Sequence, residues 1–183
     1  MKIDLHSHSF YSDGVLSPSE VVKLASQAGC ELFSLTDHDT TEGSAEAKLE
    51  ADKLNLSLIN GVEISAFWRN MAIHILGLGI DINNDILQTG LEHNQKLRKE
   101  RAEKIALSLW RSGIKDALEK TQSFSETDML TRTHFAQMLI SEGYCKDMKA
   151  VFRRYLTGKK PGGVSVEWKG FDEVVHWIHA AGG

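Results

Sequence analysis

The first 80 residues alternate between short apolar runs and helix-forming stretches, and this alternation restricts the fold more than any other feature of the sequence. KIDL, ELFSLT and LSLI are typical of strands, and helices are predicted after Ser17 and over residues 44–54. GVEIS and AIHILGLGI follow as further strands. Strands separated by helices form parallel sheets, whose carboxyl ends share one edge. The pattern predicts an α/β fold with its functional groups at that edge.

The ends of the first helix are marked by local capping residues. Ser17 is a typical N-cap, Pro18 suits the first helical position, and Glu20 stands three residues after Ser17. This order forms a capping box, and Gly29 is a typical residue just beyond a helix end.

The pattern changes after residue 82. One long helix is predicted over residues 85–112, ended by Gly113, with shorter helices over 133–141 and 148–155. VSVEW is then predicted as a strand and FDEVVHWIHAA as an amphipathic helix. We therefore predict an α/β part at 1–82, a helical insertion at 83–162 and a return to the α/β part at 163–183.

Composition excludes some classes of protein. No run reaches the roughly 20 apolar residues that span a bilayer, and no secretory signal is visible. Cys30 and Cys145 lack metal-type spacing, which predicts reduced thiols in a cytoplasmic protein. No feature of the sequence indicates an obligate protein partner. Residues 1–81 carry a net charge of −7, which suits cation binding, and residues 82–160 carry +5. The basic segment suits phosphate or nucleic acid, or equally a set of solvated helices.

Metal-competent side chains follow several of the predicted strands. His6 and His8 are two residues apart and share a strand face. The other candidates lie in turns or strands that reach the same edge, and they are Asp13, Asp37, His38, Asp39, Glu63 and His74. A nitrogen and oxygen ligand set without thiolate suits Mn²⁺, Fe²⁺ or Zn²⁺. The spacing predicts a divalent metal centre.

DLHSHSFYSDG, SLTDHDT, NGVEIS and HILGLG resemble, in order and spacing, the first motifs of the PHP (polymerase and histidinol phosphatase) superfamily. The resemblance is greatest to stand-alone bacterial phosphoesterases, which include nucleoside 3′,5′-bisphosphate phosphatases that also trim short RNA from its 5′ end. It implies a distorted (β/α)7 barrel with a helical insertion. It also implies two or three divalent ions, Mn²⁺ first and Fe²⁺ or Zn²⁺ as alternatives, and no catalytic residue beyond a metal-bound water.

The resemblance also implies roles for individual residues. By motif position His6, His8 and Glu63 hold the first metal. Glu63 and His74 hold the second, while Asp13 and His38 hold the third. Asp37 and Asp39 are expected to orient His38 without binding a metal themselves. The alternative for Asp39 is that it caps a helix. The family continues with His-Pro and Asp-x-His motifs that this chain lacks, so we expect a truncated member whose metals each lack a ligand.

Basic residues of the insertion are candidates for phosphate binding. Arg132 and His134 lie at a predicted helix start, where they either contact a substrate phosphate or are surface residues of a cap. Resemblance to the branch favours phosphate contact, and Lys160 is a further candidate with Arg98, Arg101 and Lys159. His93 is expected to be exposed, and His176 and His179 are expected to be surface or packing residues.

Three functions fit these observations. The main hypothesis is a metal-dependent phosphatase acting on nucleoside 3′,5′-bisphosphates or the 5′ ends of short RNA. The second is a phosphatase of histidinol phosphate or another small ester. The third is a non-catalytic module that uses the metal structurally or binds nucleic acid. Loss of turnover without loss of folding in His8→Ala would favour catalysis.

Overall fold

The computed structural model describes residues 1–183 and contains five strands and seven α-helices. In chain order they are β1 (Ile3–Asp4), α1 (Pro18–Gln27), β2 (Leu32–Phe33), α2 (Ser44–Lys53), β3 (Ser57–Leu58), β4 (Gly61–Trp68), β5 (Met71–Leu78), α3 (Asp85–Arg111), α4 (Ala117–Gln122), α5 (Arg132–Ser141), α6 (Met148–Val151) and α7 (Phe171–Ala180). A π-helical turn, Phe152–Leu156, continues α6. The α/β class predicted from the sequence is confirmed, and α4 was not predicted.

The parallel sheet places the segments that follow its strands side by side. β1 pairs with β2 and β2 with β3, all parallel. Beyond the strands, the Thr36 N–H donates to the Ser7 carbonyl at 2.9 Å. The start of β4 then pairs in parallel with the segment after β2, because the Asp39 N–H donates to the Glu63 carbonyl at 2.9 Å. The segments bearing His6, His38 and Glu63 therefore lie next to one another.

β4 and β5 form an antiparallel hairpin, so the parallel architecture expected from the strand–helix alternation does not extend to these two strands. The connection consists of Arg69 and Asn70, with φ of 46° and 63°. Two left-handed residues in succession form the tight turn that joins antiparallel neighbours, whereas a parallel pair needs a long crossover. The hairpin places His74 directly opposite Ser65.

The capping box predicted for α1 is present. Ser17 Oγ accepts the Glu20 N–H at 3.2 Å, and the Ser17 N–H donates to the Glu20 carboxylate at 2.8 Å. Gly29 adopts a φ of 77° just beyond the helix, in the left-handed region that favours glycine.

The chain divides into two compact units. The first comprises residues 1–95 and 168–183, and the second residues 96–167. The boundaries predicted from the sequence, at 82 and 162, stay a prediction. In the first unit one core lies under α1 and α2, around Val22, Phe33 and Ala47. A second core packs the β4–β5 hairpin against α3 and α7, around Ile64, Leu91 and Trp177.

The secondary structure of the second unit consists of helices without a strand, and the sequence predicted no strand between about residues 83 and 162. Its core packs the second half of α3 against α4, α5 and α6, around Leu109, Phe135 and Val151. No helix is both long and apolar enough to cross a bilayer; α3 reaches 27 residues but carries many charges.

The strand predicted for VSVEW is absent, and this prediction is wrong. The Val164 carbonyl accepts the side chain of Arg101 at 2.9 Å instead of a strand partner. Contact with β4 comes just later, where the Phe67 N–H donates to the Lys169 carbonyl at 2.8 Å and Gly170 forms an isolated bridge. The following helix, α7, is present as predicted.

Candidate metal centre

Glu63 is the central residue of a cluster that brings together all six predicted ligands. Its carboxylate is buried, and Oε1 lies 2.8 Å from His74 Nδ1. Oε2 lies 3.0 Å from His6 Nε2, 3.1 Å from His8 Nε2 and 3.2 Å from His38 Nδ1. One carboxylate, on β4, thus faces four imidazoles: His6 and His8 follow β1, His38 follows β2, and His74 lies in β5.

Asp13 joins the cluster from the loop after β1. Its Oδ1 lies 3.7 Å from His8 Nδ1, and its Oδ2 lies 3.9 Å from His38 Nε2. His38 therefore stands between two carboxylates, with Nδ1 towards Glu63 and Nε2 towards Asp13.

The ligand atoms form three overlapping groups in which all atoms lie within 4.8 Å of one another: His6, His8 and Glu63; His8, Asp13 and His38; and His38, Glu63 and His74. Two ligands bound to one metal at about 2.1 Å stand roughly 3.0–3.4 Å apart for angles between 90° and 109°. The contacts to Glu63 of 2.8–3.2 Å match this spacing closely. The residues present therefore fit a divalent metal bound by nitrogen and oxygen.

The electrostatics of the cluster favour an ionised carboxylate. Burial raises the pKa of Glu63, but hydrogen bonds from His74 and His8 and the charge of His38 outweigh burial and hold that pKa well below its ordinary value. Burial lowers the pKa of His8, yet the hydrogen bond to Glu63 and the charge of Asp13 outweigh it and raise that pKa. A metal binding here meets a carboxylate that is already deprotonated.

Asp37 and Asp39 are buried and fully engaged behind the cluster. Asp37 accepts the Ser9 N–H at 2.7 Å and the Ser9 and Ser12 hydroxyls, each at 2.6 Å. Asp39, in the left-handed region with a φ of 52°, accepts the Ser65 N–H and hydroxyl at 2.8 Å. Helix α2 has Gly43 at its N-cap, so the alternative that Asp39 caps a helix is wrong.

Four residues of these networks were not predicted from the sequence: Ser9, Ser12, Ser65 and Asn94. The Asn94 side chain, in the middle of α3, donates to Asp39 at 2.8 Å and to the Ser65 carbonyl at 2.9 Å. Ser9 and Ser12 lie within the first motif, which is a signal that could have found them. Nothing in the sequence around Asn94 marks it as a partner of a residue 55 positions away.

The predicted phosphate-binding residues belong to the second unit, where three arginines lie close together. Arg101 is held by its bond to the Val164 carbonyl, while burial and the charges of Arg132 and Arg98 lower its pKa to about 10. Burial and the charge of Arg98 likewise lower the pKa of Arg132. A group of positive charges held this close favours an anion between them.

His134 and Lys160 differ in their surroundings. His134 is buried at the third position of α5, and its Nδ1 accepts the Thr131 N–H at 3.2 Å, completing a capping box. The expected cap is present, but the side chain does not lie at the surface. Lys160 is exposed in the turn after the π-helical segment. His93, His176 and His179 are exposed, as predicted.

The fold and the cluster define a class of protein: an α/β protein with a centre rich in histidine and carboxylate at its strand ends. Residues 4–179 match the PHP domain family, and the chain belongs to that family. The curated 3′,5′-nucleoside bisphosphate phosphatase of Chromobacterium violaceum is 43% identical over 99% of this chain. The 5′-3′ exoribonuclease of Haemophilus influenzae is 38% identical over 100% of it.

A solved structure shows the same similarity. It is described as an amidohydrolase from Chromobacterium violaceum with bound sulfate and no metal, and it is 43% identical with a TM-score of 0.96. The structural match covers 100% of this chain and 64% of the solved chain. The chain spans 64% and 66% of the lengths of the two curated relatives.

Proposed function

We propose that the protein is a metal-dependent phosphatase that hydrolyses phosphate monoesters of nucleoside 3′,5′-bisphosphates or of the 5′ ends of short RNA. The observation that carries this proposal is the convergence of four imidazoles and Asp13 around Glu63. The relatives support the substrate class, because those that match nearly the whole chain are named for nucleoside bisphosphates and for 5′-3′ cleavage of RNA. We propose further that the protein is cytoplasmic and that its α/β unit belongs to a distorted (β/α)7 barrel.

The three ligand groups support the proposed division of the metals. His6, His8 and Glu63 would hold one ion, and Glu63 with His74 would hold a second. Asp13 and His38 would hold a third. Two or three ions, Mn²⁺ in preference to Fe²⁺ or Zn²⁺, are part of the proposal. A divalent ion at such a site lowers the pKa of bound water to about 7 and stabilises charge on phosphoryl oxygens.

The side chains of the protein hold and orient the reacting groups. Glu63 stays ionised next to several imidazoles and so carries the negative charge that the ions need. In the second unit, Arg132 and its neighbouring arginines bind an anionic group of the substrate, with Lys160 as a further contact. The Nδ1 of His134 accepts a backbone N–H, so its proton lies on Nε2, which is then a donor suited to a phosphate oxygen.

The test is release of inorganic phosphate from a 3′,5′-bisphosphonucleoside by the complete protein loaded with Mn²⁺, with histidinol phosphate as the comparison substrate. We expect release from the bisphosphonucleoside, its loss on chelation, and its loss in His8→Ala with the helical circular dichroism retained. Bound metal without release from either the bisphosphonucleoside or a short RNA would contradict the proposal. Faster release from histidinol phosphate would overturn the substrate class alone.

A further inference from the structure

Ser12 connects a predicted metal ligand to a buried carboxylate. Its Oγ lies 3.3 Å from His8 Nδ1 and 2.6 Å from Asp37 Oδ1. Ser12 is fully buried and Asp37 is 2% exposed. Asp13 lies farther from the same nitrogen, at 3.7 Å. Ser12 is therefore the hydrogen-bond partner of His8 Nδ1.

The direction of these hydrogen bonds follows from the single proton of the serine hydroxyl. The short contact to the Asp37 carboxylate is charge-assisted and is the stronger of the two, so the hydroxyl proton points to Asp37. The oxygen of Ser12 then turns its lone pairs towards His8, and only a protonated Nδ1 can donate to it. Nε2, on the other side of the ring, lies 3.1 Å from Glu63 Oε2.

The loop leaves Ser12 little freedom to move away. Its N–H donates to the Ser9 carbonyl at 3.1 Å, and the Gly14 N–H donates to the same carbonyl at 3.0 Å. A Cβ at Gly14 would stand 2.4 Å from the His8 carbonyl oxygen, so the chain folds back directly onto the residue that Ser12 contacts.

We propose that Ser12, anchored by Asp37, is a positioning residue that keeps a proton on Nδ1 of His8 and leaves Nε2 as its metal-binding nitrogen. This inference rests on the metal site of the proposed function. Metal-binding histidines commonly donate their second nitrogen to a carboxylate, and loss of such a partner costs 10–100-fold in metal affinity. Here a serine stands between the imidazole and the carboxylate.

Ser9 provides a matched control. Its hydroxyl donates to the other oxygen of Asp37 at 2.6 Å, and it is as fully buried as Ser12. Ser9→Ala and Ser12→Ala therefore each remove one hydroxyl donor to Asp37. Ser9→Ala also removes the acceptor of the Tyr11 N–H at 3.2 Å, but only Ser12→Ala removes a contact with His8.

The first measurement is the dissociation constant for Zn²⁺ in the wild-type chain and the two variants, by competition with a chelator. Ser12→Ala is expected to weaken binding at least tenfold, and Ser9→Ala less than threefold. Equal losses in the two variants would show that Ser12 acts only through the stability of the loop, and would overturn the inference.

The second measurement is made on the metal-free protein, first on the wild-type chain and then on the two variants. In the metal-free protein at mildly acidic pH, nitrogen-15 spectra of the imidazoles should show a His8 Nδ1 proton that exchanges slowly with solvent. Ser12→Ala should abolish that protection and Ser9→Ala should keep it. Rapid exchange in the wild-type chain would refute the role of Ser12. Failure of the wild-type chain to bind any metal, with the protected proton present, would instead refute the proposed function.

Discussion

Replacing Glu63 by glutamine perturbs the metal centre at the one residue that the imidazoles share. Glutamine keeps the shape of the side chain but removes its negative charge and turns one oxygen into a donor. Four imidazole nitrogens lie within 2.8–3.2 Å of the carboxylate. Two of the three ligand groups contain Glu63, and the group of His8, Asp13 and His38 does not.

The expected effects follow from these contacts. A hydrogen bond to a charged group contributes about 1.5–3 kcal/mol, so Glu63→Gln should lower the unfolding free energy of the metal-free protein by roughly that amount. Loss of an outer partner costs 10–100-fold in metal affinity, and loss of the ligand itself should exceed 100-fold, about 2.8 kcal/mol. The number of tightly bound ions should fall, because only one group keeps all its ligands.

Titration calorimetry with Mn²⁺ measures both affinity and stoichiometry. Glu50→Gln is the matched control, because Glu50 is also a buried carboxylate and accepts the Lys53 ammonium at 2.8 Å in α2, outside the cluster. Wild-type affinity and stoichiometry in Glu63→Gln would refute the reasoning. An equal loss in Glu50→Gln would assign the effect to general destabilisation.

Three further predictions concern pH, the first loop and the arginines. Because the pKa of Glu63 is lowered, the stability that Glu63 contributes is lost as pH falls below about 4.5. Because the pKa of His8 is raised, the stability that His8 contributes is lost as pH rises above about 6.5. The difference in unfolding free energy between the metal-free wild type and Glu63→Gln should therefore be greatest between these two pH values. Gly14→Ala should cost roughly 1–3 kcal/mol in denaturant unfolding, because the new Cβ meets backbone. Arg132→Ala should raise KM for a nucleoside bisphosphate about tenfold or more and leave Mn²⁺ affinity unchanged.

Each of these predictions has its own control. A stability difference between wild type and Glu63→Gln that stays constant from pH 4 to 8 would contradict the pH prediction. A Cβ added at Gly170 would have no neighbouring atom within 4 Å, so the unfolding free energy of Gly170→Ala should stay within about 0.5 kcal/mol of wild type. Equal losses of stability in Gly14→Ala and Gly170→Ala would contradict the steric argument. Arg153 is exposed on the same unit. An equal rise in KM for Arg153→Ala would indicate general charge attraction.

Local features of the fold were predictable because their chemistry lies within a few residues. The Ser17–Glu20 capping box and the left-handed Gly29 occur where the sequence places them. The candidate cluster was predictable for a related reason. His6 and His38 follow strands, and strand ends gather at one edge of a parallel sheet. Glu63 lies near the start of β4, which pairs in parallel with the segment that bears His38.

Pairing between distant segments was not predictable from the sequence. The direction of β5 depends on the turn at Arg69 and Asn70, which lacks the Asn-Gly or Asp-Gly pair that usually marks a tight hairpin. VSVEW has the composition of a strand, but no neighbouring segment offers it a ladder. The bond between Asn94 and Asp39 joins a helix to a strand end, and no periodic pattern encodes such a contact.

Anomalous scattering from crystals grown with Mn²⁺ tests the central claim most directly. The account predicts a peak within about 2.3 Å of a Glu63 oxygen and of the His6 and His8 imidazole nitrogens. Mn²⁺ bound by the protein in solution, with no anomalous peak among these side chains, would contradict it.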